Sequence, residues 1–180
     1  MSKRMIAIAI GWGLVAGTVQ AVKPDYDSPV FNRAPKSEVS GNDGAFRLLI
    51  IGNSTSLHGP APTIGWTNSW GMAASAKEKD FAHLLWRAME GELGVSGDCR
   101  IHNIYEIEQG FFDGFKPDRM YPDDLAWKPD YVVFAAGENA PFDGSPDAER
   151  RWADIVVKMG EDFRAVNPKV RIVVRTPFWF

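Results

Sequence analysis

Residues 46–51 read Phe-Arg-Leu-Leu-Ile-Ile and stop at Gly52. An apolar run of this length, closed by a glycine, fits a strand buried on both faces rather than a half-exposed strand, which would alternate. Three more segments have strand character: Cys99–Tyr105, Tyr131–Ala135 after Lys128-Pro129-Asp130, and Val170–Val174. Helical stretches separate them. Ser75-Ala76-Lys77-Glu78 reads as a capping box, followed by Phe81, Leu84, Leu85 and Ala88 on one face and Gly94 as the C-terminal cap. Ser145 and Pro146 open a second helix, with Asp147 and Glu149 against the positive end of its dipole. Trp152, Ile155, Val156, Met159, Phe163 and Val166 form its apolar stripe, and Asn167-Pro168 stops it. Buried strands alternating with amphipathic helices predict an α/β fold, a doubly wound parallel sheet joined by right-handed crossovers and covered on both faces.

Composition narrows the classes. Residues 1–21 read as a secretory signal peptide, with Lys3 and Arg4 before the apolar stretch Ile6–Gly17 and a small-residue cleavage site at Val19-Gln20-Ala21. A run this short falls below the roughly 20 residues that span a bilayer. Export to the periplasm or medium follows, with no membrane association after cleavage. Residues 22–45 are polar and turn-rich and read as a linker or surface arm, leaving 46–180 as one domain. The formal charge of −3 and the lack of a basic cluster argue against nucleic acid as a partner. Cys99 is the single cysteine, so no disulfide within the chain is possible, and its place at a strand start suggests a buried thiol, with pairing between chains in an oxidising compartment as the alternative.

In sheets of this kind ligands bind beyond the carboxyl ends of the strands. After the first strand the chain reads Gly52-Asn53-Ser54-Thr55-Ser56-Leu57-His58, and after the third Gly137-Glu138-Asn139. From about Phe46 onward it therefore resembles the SGNH (GDSL-like) family of serine hydrolases. That family carries its nucleophile in Gly-Asp-Ser after strand one and an Asn in Gly-x-Asn after a later strand. The resemblance implies a flavodoxin-like three-layer α/β/α fold, with Ser54 as nucleophile and Asn139 as an oxyanion-hole donor. A glycine after the second strand would be a further donor, Gly110 with Gly114 as competitor. The chemistry explains the residue types, since a serine hydroxyl needs a base and the tetrahedral intermediate needs donors aimed at its oxygen. Asn53 departs from the family's Asp, and Ala140 stands where an Asp often follows.

The family's Asp-x-x-His block, which supplies the catalytic base, has no counterpart after the fourth strand. The expectation is a chain missing its last strand and helix, inactive in this form, with an apolar face and an open strand edge that favour association. Asp80-x-x-His83 matches the block by coincidence on this reading, because His83 falls about 150° from the apolar face of its helix and points to solvent. His58 is too close to Ser54 in the chain to act as base and is a candidate substrate contact. His102 reads as a bonded strand histidine. Three separated histidines give no metal-site spacing, and no cofactor is expected. Residues 58–74 form a long loop in which Trp66 and Trp70 could face a sugar ring or plug the loop onto the core. The expected function is that of an exported carbohydrate esterase, acting through an acyl-serine on a small-molecule or polysaccharide ester, an O-acetyl group first. A non-catalytic carbohydrate-binding or interaction domain with the same fold is the alternative. An unrelated flavodoxin-like module lacks its glycine-rich phosphate loop here.

Overall fold

A computed structural model describes residues 37–110 and 121–177. The signal peptide, residues 22–36 of the expected arm, Gly114 and residues 178–180 lie outside the described residues.

Five strands form one sheet in the order β1-β3-β2-β4-β5: β1 (Ser37–Ser40), β2 (Arg47–Gly52), β3 (Asp98–Asn103), β4 (Tyr131–Ala135) and β5 (Arg171–Val174). The four strands expected from the sequence pair in parallel. The sheet as a whole is mixed, because β1 runs antiparallel to β3 from Ser37↔His102 to Ser40↔Cys99. This corrects the purely parallel sheet and moves residues 37–40 from arm to edge strand. Ser-Glu-Val-Ser offers a single apolar side chain, and Val39 is 57% exposed, so no hydrophobic pattern marks the strand.

Helices cover both faces: α1 (Phe81–Leu93), α2 (Tyr105–Gly110), α3 (Pro122–Trp127) and α4 (Pro146–Val166). One core joins Leu49, Ile51, Val132 and Phe134 to Trp152, Met159 and Phe163 of α4, Ile107 of α2 and Tyr121 beside α3. The other joins Leu48, Ile50, Cys99 and Ile101 to α1. Alternate residues of β2 thus feed opposite cores, which is why its sequence is continuously apolar. Burial also pushes the Cys99 thiol up to about 12, so it stays protonated and inert. No helix among the described residues is long and apolar enough to cross a membrane.

In α4, Ser145 Oγ accepts from Ala148 N at 3.2 Å, with Pro146 in the first turn, as its sequence predicts. The start of α1 differs from expectation. Residues 77–79 make only a 3-10 turn, and the cap is Asp80, whose Oδ1 accepts from His83 N at 2.8 Å. Ala82, Leu85, Trp86 and Met89 with Phe81 face the core, whereas Leu84 is 51% exposed and Ala88 lies in solvent. The large Trp86 ring takes the inner position and turns the helix relative to the face read from the leucines.

Candidate functional site

The parallel register decides which loops meet. Gly52 at the end of β2 lies opposite Asn103 on one side and Ala135 on the other, so β3, β2 and β4 finish in line. Ser54, α2 and Gly137–Asn139 all leave from this one edge.

Gly52 and Gly137 are required by close approach. A Cβ on Gly52 would fall 1.9 Å from Ser56 Oγ, and one on Gly137, at φ +121°, would fall 2.6 Å from Pro177 Cγ. Past Gly52 the chain makes a tight turn, with Ser56 N and Leu57 N both donating to Asn53 O at 2.9 and 3.1 Å. Asn53 is fully buried inside it. Its Oδ1 accepts from Thr55 N and Thr55 Oγ1, both at 3.1 Å, while its Nδ2 donates to Glu108 Oε1 at 3.0 Å and Glu138 Oε2 at 2.6 Å. Ser54 is partly exposed, and its carbonyl accepts from Met72 N at 2.8 Å.

Glu108, on α2, is 0% exposed. Its Oε1 also accepts from Gly137 N and, at 3.5 Å, from Asn139 N, and its Oε2 accepts from Asn139 Nδ2 at 2.8 Å. Burial raises its pKa above the ordinary carboxyl value, and these hydrogen bonds offset that only in part. Glu138 pairs instead with Arg175, which follows β5. Asn139 is held a second time through Gln109 Nε2, which donates to its carbonyl. Asn103, at the end of β3, donates from Nδ2 to Leu57 O at 2.7 Å and braces the far side of the serine turn.

Ser54, Asn53, Gly137 and Asn139 are therefore brought together as the sequence suggests. Gly110 is the last residue of α2, where the backbone follows the helix rather than an open turn. Glu108, Glu138, Arg175 and Asn103 were not singled out from sequence. Glu108 had a signal, since Ile104, Ile107 and Glu108 share the i, i+3, i+4 face of a buried helix.

The histidines are engaged elsewhere. His58 Nδ1 donates to Gly59 O, and His102 Nδ1 meets Asp124. His102 lines a cleft of about 500 Å³ between the β1–β3 face and α3, with Arg100 and Trp127 in its wall. His83 is 5% exposed, which corrects the expectation that it points to solvent. Its Nδ1 lies 2.8 Å from Asp80 Oδ1 and its Nε2 3.0 Å from Glu38 Oε1. The reason is β1, which supplies Glu38 above a helix that begins later than its sequence suggested. Both ring nitrogens face carboxyl oxygens, an arrangement that favours the charged form of the ring. The Asp80 hydrogen bond raises the His83 pKa most and, with Glu38, outweighs the lowering by burial. Asp80 has a further duty: its Oδ2 accepts from Gly71 N at 3.1 Å, next to the Met72–Ser54 bond.

The loop from His58 to Trp70 folds back on itself. His58 N donates to Trp70 O at 3.1 Å and Ala61 N to Trp66 O at 2.7 Å, and the two half-buried indoles meet edge to face at 5.9 Å. Its stem at residues 70–72 is tied to the serine turn, so the loop stands on the Ser54 side of the edge. Among the described residues no group of three or more metal-ligating side chains converges. Comparison of the chain with protein-family models, with curated proteins and with solved structures gave no match.

Proposed function

We propose that the chain is an exported SGNH-type hydrolase domain, in which Ser54 attacks an ester carbonyl and forms an acyl-serine. One observation carries the reading. Ser54 and Asn139 leave adjacent parallel strands at the same edge, and their turns are joined through the buried Glu108 carboxylate. The Ser54 N–H and the second hydrogen of Asn139 Nδ2 would hold the oxyanion. Among the described residues His58 bonds to Gly59, His83 to Asp80 and Glu38, and His102 to Asp124, rather than to Ser54. The paired indoles of Trp66 and Trp70 on the Ser54 side make a carbohydrate O-acetyl ester the substrate class to try first.

The same engagement of the three histidines favours a second reading, a carbohydrate-binding domain that keeps the fold without turnover. Treatment with a fluorophosphonate followed by peptide mapping separates the two. The hydrolase reading expects adduct on Ser54, absent in Ser54→Ala. An unmodified Ser54 in a chain that still retains acetylated oligosaccharide favours the second.

A further inference from the structure

We propose that Glu108 is the positioning residue of this edge: its carboxylate fixes the orientation of the Asn139 amide and locks the Asn53 turn that carries Ser54. The inference rests on the hydrolase reading for the role of Asn139, but the link itself stands on geometry.

All the described groups that bond Glu108 are donors. Asn53 Nδ2, Gly137 N and Asn139 N converge on Oε1, and Asn139 Nδ2 on Oε2. They come from the loop after β2 and the loop after β4, while Glu108 itself stands on the helix after β3. One side chain thus spans the three strand ends at which the site is built. Arg175, the cation of this edge, pairs with the neighbouring Glu138. A fully buried carboxylate that takes four neutral N–H groups from the described residues is a costly choice for a mere spacer, and an isosteric amide would avoid the burial of charge. What the amide could not do is accept from every side. A Gln here would turn a donor toward Asn139, whose own amide would have to reverse and present its oxygen. With the carboxylate in place, one hydrogen of Asn139 Nδ2 is taken and the second is left in a fixed direction. Gln109, the next residue on the same helix, grips the Asn139 carbonyl, so α2 holds this asparagine by both backbone and side chain. Among the described residues the charged and titratable groups nearest Glu108 are Glu138, with Arg175 behind it, and Tyr105 and Glu106 on its own helix.

The experiment follows the side-chain amide signals of Asn53 and Asn139 by NMR in the isotope-labelled chain. Asn167, whose Nδ2 donates to Pro129 O, serves as the reference. In the wild-type chain both amides should move with pH at the midpoint of the Glu108 carboxyl carbon, while Asn167 stays still. In Glu108→Gln the Asn139 amide protons should exchange with water faster, and fluorophosphonate modification of Ser54 should slow by about 10²- to 10³-fold, the cost of one oxyanion donor. Asn139 signals that ignore the Glu108 midpoint overturn the proposal, as does a Gln variant labelled at the wild-type rate. If Glu108→Gln does not fold, the wild-type titration decides alone. A wild-type Ser54 that never reacts, with Asn139 still following Glu108, removes the hydrolase reading and leaves the link intact.

Discussion

Asn53 shows how one atom type can be dictated by its surroundings. It stands where the SGNH resemblance leads one to expect Asp, and its Nδ2 lies between the carboxylates of Glu108 and Glu138. A carboxylate in its place would put three acids together with Arg175 as the nearby cation. The amide removes that repulsion and supplies both hydrogens. Asn53→Asp should therefore destabilise the fold by about 3 kcal/mol at neutral pH, the scale of an uncompensated buried charge. The loss should shrink as the solution is acidified through the carboxyl range, because protonation of the new group removes its charge. Urea melts at pH 7 and pH 5 measure it, and equal losses at both would contradict the account. The positions of Ser54 and Asn139 were legible from sequence because strand ends in a parallel sheet share an edge. The carboxylates that fix them were not, since their partners come from loops 29 to 85 residues away.

At the N-terminus of α1 the sequence signal was real but misplaced. Ser75-x-x-Glu78 fits a capping box, yet the helix starts six residues later than that N-cap, behind Asp80. Besides the His83 ring, Asp80 serves two backbone segments at once, the helix cap and Gly71 N in the segment that holds the Ser54 carbonyl. Asp80→Ala should cost about 2 kcal/mol through the cap. It should also loosen Gly71–Met72, read as faster amide exchange at Met72 than in wild type; unchanged exchange would leave Asp80 as a cap alone. His83 adds a pH dependence. Its folded pKa lies above the ordinary 6.5, so its contribution is complete below that value and is lost as pH rises through the raised one. For Asp80, burial raises the pKa, but hydrogen bonds from His83 and Gly71 together outweigh it and hold it below 3.8. That contribution is present above 3.8 and lost as pH falls through the lowered value. Thermal melts of wild type and His83→Gln from pH 5.5 to 9 should show a steeper fall in the wild-type Tm above neutrality. Parallel curves would mean that the ring titrates alike in both states.

Across the whole molecule, the alternation of apolar runs and amphipathic helices revealed four of the five strands and the two cores, because those segments bury enough surface to leave a periodic trace. The fifth strand, β1, buries almost none and is held by backbone pairing to β3, which leaves no such trace. The two edges of the sheet differ in consequence. β1 closes the β3 side with short polar residues and Lys77 paired to Glu38 at 2.8 Å, the sort of charge that discourages further strand pairing. β5 pairs with β4 on its inner side, and among the described residues no strand pairs with its outer side. Val173 and Val174 are 57% and 56% exposed there. Apolar side chains beside unpaired backbone groups favour pairing with a second chain. Sedimentation over a hundredfold concentration range should therefore show reversible association of the purified chain. Val173→Lys should reduce it while changing stability by no more than about 0.5 kcal/mol, as expected of an exposed position. Association that survives this change would point away from β5 as the contact, and a chain that stays monomeric throughout would show that the edge is protected in solution.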